Sequence, residues 1–229
     1  MRRVFWLLVV IAALAVLWSW VPSLAVERQI AAVLRARLEA SGPVTVRART
    51  TLVALAQERV ERIDIEARGV RLGDLVADRL TAKLEGVAFR RAPDGVVVVT
   101  NIQAGAAEIE ITEDDLERYL GARGVDNPSV HIDKTGVSAT GGMRVGPVLA
   151  TARLRGQFYA VDGRDLYFRV TSLEVSGVDV PRALAETVLA VAAQPVVSVR
   201  HLPVSIRIDR IDAEAGRVVV HARAEMPAP

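Results

Sequence analysis

Residues 179–195 read DVPRALAETVLAVAAQP, and the way this stretch must be buried decides the fold. Asp179 is a good N-cap, and Pro181 suits a first helical turn, where its missing N–H costs nothing. Pro195 ends the run, because proline cannot continue a helix. Between Arg182 and Gln194 only Glu186 and Thr187 are polar. A helix that is apolar almost all round is a buried helix. At about 1.5 Å per residue it is about 20 Å long, too short to span a bilayer. The rest of the chain must wrap it, and that rest reads as strands.

On the N-terminal side of this stretch the strands alternate. Ile63, Ile65 and Ala67 are apolar between Arg62, Asp64, Glu66 and Arg68; Leu80, Ala82 and Leu84 alternate with Arg79, Thr81, Lys83 and Glu85. These are half-buried antiparallel strands. A short strand precedes them at Val44 to Arg49. A longer one ends at Ala107, Ile109 and Ile111, with a bulge expected at Gly105. Val130 and Ile132, then Val137 and Ala139, flank a turn at Asp133 to Gly136. Val148, Ala150, Ala152, Leu154, Gly156, Phe158 and Ala160 share one face. A three-residue loop, Val161-Asp162-Gly163, sets Phe158 opposite Leu166 and Leu154 opposite Val170. That register places Arg155 opposite Arg169, and a bulge near Ser172 follows. After the apolar helix, Ile206, Ile208, Ile211 and Ala213 lead to a turn at Gly216 and the strand of Val218, Val220, Ala222 and Ala224.

Thr112 opens a short helix carrying Leu116, Tyr119 and Leu120 on one face. Glu113, Asp114 and Asp115 follow the cap. Three consecutive acids could hold a metal, but acids also stabilise a helix N-terminus, and the second role is the expected one.

The N-terminus is of another kind. Residues 4–21 are apolar except Ser19, about 27 Å of helix, with Trp6 at one end and Trp18 and Trp20 at the other, the pattern of interfacial aromatic belts. Ser23-Leu24-Ala25 also suits signal cleavage. An uncleaved anchor is expected, and either reading puts the body outside the cytoplasm. Residues 1–25 are then a signal anchor, 26–226 one extracytoplasmic domain and 227–229 a tail. Val26, Ile30, Val33, Leu34 and Leu38 form one face of an amphipathic helix over 26–40.

Composition excludes several functions. The 229 residues hold 29 Lys and Arg against 27 Asp and Glu, and Arg2 and Arg3 make up the difference. A balanced body lacks the basic footprint of a nucleic-acid binder. No cysteine is present, so thiol chemistry and disulfides are impossible. The three histidines, His131, His201 and His221, have no metal-ligand spacing. Nucleophile-elbow, phosphate-loop and dinucleotide motifs are absent. The reading is therefore not an enzyme, with no cofactor and no metal. Small residues crowd the inward positions: Ala82, Ala139, Ala150, Ala152, Gly156 and Ala160. They either let the apolar helix pack close or leave an apolar channel, and such a channel beside a membrane would hold lipid.

Several stretches resemble the LmeA-type phospholipid-binding family of bacterial cell envelopes. They are the anchor, the amphipathic helix, the run Val60 to Val87 containing ERIDIEARGV, the sequence ITEDDL at 111–116 and LPVSIRI at 202–208. The resemblance implies an α+β fold similar to the TULIP lipid-binding modules: a long twisted antiparallel sheet curled around a few short helices, with an elongated apolar groove. It also implies binding, or binding and transfer, of a phospholipid or other acyl lipid at the outer side of the cytoplasmic membrane, held by a single N-terminal span. The candidate groove lining is Ala150, Ala152, Leu154, Phe158, Phe168, Leu184, Val188 and Val191. The alternative is a scaffolding envelope protein with a filled core that binds a protein partner.

Overall fold

The computed structural model describes residues 31, 35, 38–51, 53–54, 57–91, 97–145, 148–176, 194–199 and 206–224. The expected anchor, most of the amphipathic helix, the turn at 93–95 and the apolar stretch 181–193 lie outside the described residues, as do Leu184, Val188, Val191 and His201. Among the described residues, no helix is long and apolar enough to cross a membrane.

The chain is mostly antiparallel sheet with a curled, half-barrel form. The strands are β1 (Val44–Arg49), β2 (Arg59–Leu72), β3 (Leu75–Arg91), β4 (Val97–Asn101) and β5 (Ala104–Thr112), then, after helix α1 (Glu113–Ala122), β6 (Asp126–Asp133), β7 (Gly136–Val145), β8 (Val148–Val161), β9 (Asp165–Ser176), β10 (Val197–Ser198), β11 (Ile206–Glu214) and β12 (Arg217–Ala224). They form two sheets where one long sheet was expected. One runs β1-β2-β3-β5-β12-β11, with β4 also on β3; the other runs β10-β9-β8-β7-β6. A principal core joins the sheets through residues such as Val70, Leu75, Ile109, Ile132, Leu166, Ile208 and Val220.

Strands β2 and β3 carry the alternation as expected, pairing Ile63 with Leu84, Ile65 with Ala82 and Ala67 with Leu80. Their buried face changes phase twice, however. Along β2 it passes from Val60 to Ile63–Ala67 and then to Val70 and Leu72, and β3 follows in step. Near these changes Gly69 and Gly86 have φ of 61° and 59°. Glycine enters that left-handed region without the Cβ clash that other residues meet. The long ribbon can thus rotate its apolar face while its register stays intact.

Two strand details differ from the expectation. Gly105 is not a bulge: β5 pairs with β3 in unbroken register through it. The interruption lies at Ile102 and Gln103, between β4 and β5, which follow one another along the same edge of β3. Gly105 instead supplies space, since a Cβ there would lie 2.8 Å from side-chain atoms of Leu84 and Ala224. The β8–β9 loop is also shifted. Val161 pairs with Asp165, Phe158 with Phe168 and Tyr159 with Tyr167, not Phe158 with Leu166. The observed register stacks ring on ring across the ladder, and Gln157 faces Arg169. The expected like-charge pair of Arg155 and Arg169 is thereby avoided. The bulge beyond it does occur, leaving Thr171 unpaired beside Ser172.

Helix α1 follows its sequence closely. Thr112 caps it, with Asp115 completing a reciprocal capping box. Asp115, only 1% exposed, accepts the backbone N–H of Thr112 and that of Asp78 in β3, both at 2.9 Å, and also meets Arg118. Glu113 and Glu117 reach the opposite way. Their Oε1 atoms accept the N–H groups of Ile132 at 2.7 Å and Val130 at 2.9 Å. Strand β6 is an edge of its sheet, so these carboxylates occupy groups that a bare edge would leave open. Gly216, in the β11–β12 turn, donates to the carbonyl of Ile132 at 3.0 Å. The acids of this helix are therefore sheet-joining acceptors. Asp115→Ala strands two buried donors and should lower unfolding free energy by about 3 kcal/mol. The same change at exposed Asp114 should stay within about 0.5 kcal/mol, and urea denaturation of the two variants compares them.

Candidate functional site

Beyond the principal core the seven-stranded sheet has a second apolar cluster. It contains Val46 and Ala48 from β1, Val60, Ile63 and Ile65 from β2, Val87 from β3, and Ile102. Ala82, Leu84, Phe89 and Ala224 pack against it half-buried. Among the described residues, no member of this buried apolar face comes from the five-stranded sheet. From outside the sheet, among the described residues, Ala31 packs on it. The face is continuous with the principal core, because Ile65 and Ala82 adjoin Ala67 and Leu80 on the same side of the ribbon, and Val44 touches both clusters. At about 3.3 Å per residue, the cluster's members on β2, Val60 to Ile65, cover about 17 Å of that strand.

At the end of this face lies a cleft of about 490 Å³. Its floor includes Val60, which is 1% exposed and belongs to the apolar cluster. Arg59, Arg62, Glu61, Glu85, Gln57 and Gln103 form its polar wall. Arg62 Nε holds both oxygens of Asp64, at 3.0 and 3.2 Å, and Thr51 donates to Glu61 at 3.1 Å. Gln103 lies flat against Gly86, where a Cβ would come within 2.2 Å of its Oε1. Ion-pairing donors and acceptors thus stand directly over buried hydrocarbon.

The expected lining residues fall into two groups. Ala150 and Ala152 on β8 are buried, at 4% and 6% exposure, and belong to neither core cluster. Ala152 faces Gly141 of β7 and Val175 of β9, so the inner wall there is made of small groups. Leu154, Phe158 and Phe168 instead pack on the principal core. The two phenyl rings meet edge to face at 5.2 Å. Phe158 also borders a smaller cleft, about 210 Å³, with Val137, Ile211, Ala213 and Val218. From Ala150 to Phe158 is about 26 Å along the strand. The sequence places the candidate lining on β8, β9 and the 181–193 stretch; the fold adds a second candidate on the inner face of β1 to β3, where Ile63, Ile65, Ala82 and Leu84 alternate.

The two described histidines, His131 and His221, each stand beside carboxylates. His131 is exposed, with Nδ1 at 3.2 Å from Glu113 rather than on Asp133. Asp133 is held by the hydroxyl and N–H of Thr135, and these hydrogen bonds keep its carboxyl below the usual carboxylate range. His221 bridges Glu108 and Asp212 on the outer face, at 3.4 and 3.0 Å. Among the described residues, no cluster of His, Asp and Glu could hold a metal ion.

Gly156 shows how tightly the phenyl end is built. A Cβ there would lie 2.2 Å from the carbonyl oxygen of Arg169 and 2.6 Å from Phe168 Cζ. Gly156→Ala should therefore cost about 1–3 kcal/mol of stability, read as a lower denaturation midpoint. An unchanged midpoint would mean that Phe168 is not fixed against this strand.

A family model described as LmeA-like phospholipid-binding matches residues 20–223. No curated protein and no solved structure matches the chain.

Proposed function

The chain belongs to the LmeA-like phospholipid-binding family, and from that premise we propose that it binds a phospholipid or similar acyl lipid without chemical change. The acyl chains lie along the apolar inner face, between Ile63, Ile65, Ala82 and Leu84 on one side and the small-residue wall of Ala150 and Ala152 on the other. The head group sits at the polar cleft beside Arg59. The observation that carries this reading is the apolar face of β1 to β3, to which, among the described residues, no strand of the second sheet contributes and which ends at a charged mouth. Each methylene taken from water contributes about 0.8 kcal/mol, so a long apolar face suits a long chain. The Arg59 guanidinium at the mouth matches a phosphate in charge and in planar donor geometry. The stretch at 4–21 would hold the domain at the outer side of the cytoplasmic membrane, where lipid is within reach, as one body over 26–226.

A second reading is a scaffolding envelope protein with a filled core. It is favoured by Phe158 and Phe168, which pack on the core. Uptake of fluorescent phospholipid from vesicles separates the two. The lipid-binding reading expects uptake by the parent chain and at least a roughly 10-fold loss in Ala82→Trp and in Ala152→Trp, each substitution putting a bulky ring where an alkyl chain would lie. Circular dichroism checks that both variants stay folded. Uptake that is unaffected in both folded variants would place the lipid elsewhere, and a parent chain that takes up none would favour the scaffold.

A further inference from the structure

The outer faces of the two sheets are charged in different ways. On the seven-stranded sheet, many arginines stand beside carboxylates: Arg79 with Glu66 and Glu110, Arg217 with Glu110 and Glu214, Arg210 with Asp212, Arg223 with Asp209 and Arg62 with Asp64. Arg47, Arg49, Arg68 and Lys83 are exposed among them, so that face mixes both signs of charge. On the five-stranded sheet, Arg153 and Arg155 of β8 and Arg169 of β9 are exposed. Arg153 Nε reaches only the Thr140 hydroxyl, at 3.4 Å. The guanidinium of Arg169 lies over the Tyr159 ring, 4.6 Å from its centre. Among the described residues, none of the three has a carboxylate within ion-pair distance, although Glu174 is the ladder partner of Arg153.

These three side chains project from one side of one strand pair. Arg153 and Arg155 are alternate residues of β8, and Arg169 lies across from Gln157, so the row covers about 13 Å. Around them are Ser138, Thr140, Thr151 and Ser172, all neutral. At the hairpin end Tyr159 and Tyr167 pair at 5.8 Å, half-exposed. A tyrosine ring has an apolar body and a polar tip, which suits it to a membrane–water boundary. Arginine offers a planar fork of donors to phosphate oxygens. Cations near an anionic bilayer each add to its attraction.

We propose that the outer face of the β8–β9 strand pair, through Arg153, Arg155, Arg169 and the two tyrosines, docks on the head groups of an anionic phospholipid bilayer. This surface is separate from the apolar inner face, and the proposal does not depend on where a lipid is bound.

Because the chain has no cysteine, Ser172→Cys accepts a single polarity-sensitive fluorophore on this face. A second label at Thr45→Cys, on the outer side of β1, serves as reference. The full chain is reconstituted in phosphatidylcholine vesicles, with and without phosphatidylglycerol. The label at 172 should shift to the blue only with phosphatidylglycerol, and the label at 45 should not. Combining Arg153→Gln, Arg155→Gln and Arg169→Gln should return the label at 172 to its neutral-vesicle value, as a roughly 100-fold weaker docking constant requires. Equal shifts in the parent and triple variant, or no shift with phosphatidylglycerol, would overturn the proposal. So would an equal shift produced by soluble polyphosphate in neutral vesicles, which would identify the face as a polyanion site.

Discussion

A sheet edge leaves N–H and C=O groups that must find partners, and in this molecule helix α1 supplies them. Three of its four acidic side chains work in two directions. Asp115 holds the first turn and the N–H of Asp78 in β3, while Glu113 and Glu117 hold two N–H groups on the edge of β6. A carboxylate that accepts backbone donors makes a stronger hydrogen bond than a neutral partner would. The helix is only 10 residues long, yet it fixes the edge of one sheet against the other. Ile208 N–H on the β8–β9 turn at Gly163, and Gly216 N–H on Ile132, continue the same joint from the β11–β12 hairpin. Beyond that joint the remote half of the larger sheet buries a second apolar cluster, to which, among the described residues, no strand of the smaller sheet contributes.

Much of this was legible in the sequence. Alternation located β2, β3, β6 to β8, β11 and β12, because one wet face and one buried face leave a two-residue period. Thr112 and the acids after it specified the cap. What could not be read was pairing at a distance. The β8–β9 register depends on ring stacking between Phe158 and Phe168, and on Tyr159 with Tyr167, which only the folded ladder reveals. The bulge expected at Gly105 was misplaced for a related reason. Gly105 is small because Leu84 and Ala224 lie over it, and nothing near it in the chain says so. The division into two sheets also escaped local reading, since all the strands carry similar patterns.

The candidate site was legible only in part. Small residues at 150 and 152 stand out as inward positions, and the fold buries them. Leu154, Phe158 and Phe168 share that periodicity, and the fold packs them on the principal core. Side-chain volume and parity are the same kind of signal in both cases, and only tertiary position separates lining from packing. The face of β1 to β3 reads as ordinary sheet because its alternation is so regular.

The central claim is that the inner apolar surface holds phospholipid. Native mass spectrometry of the chain purified in mild detergent, followed by lipid extraction, tests it most directly. The account predicts a bound phospholipid at close to one per chain, retained through purification. A bare protein mass that gains no lipid from added vesicles would contradict it.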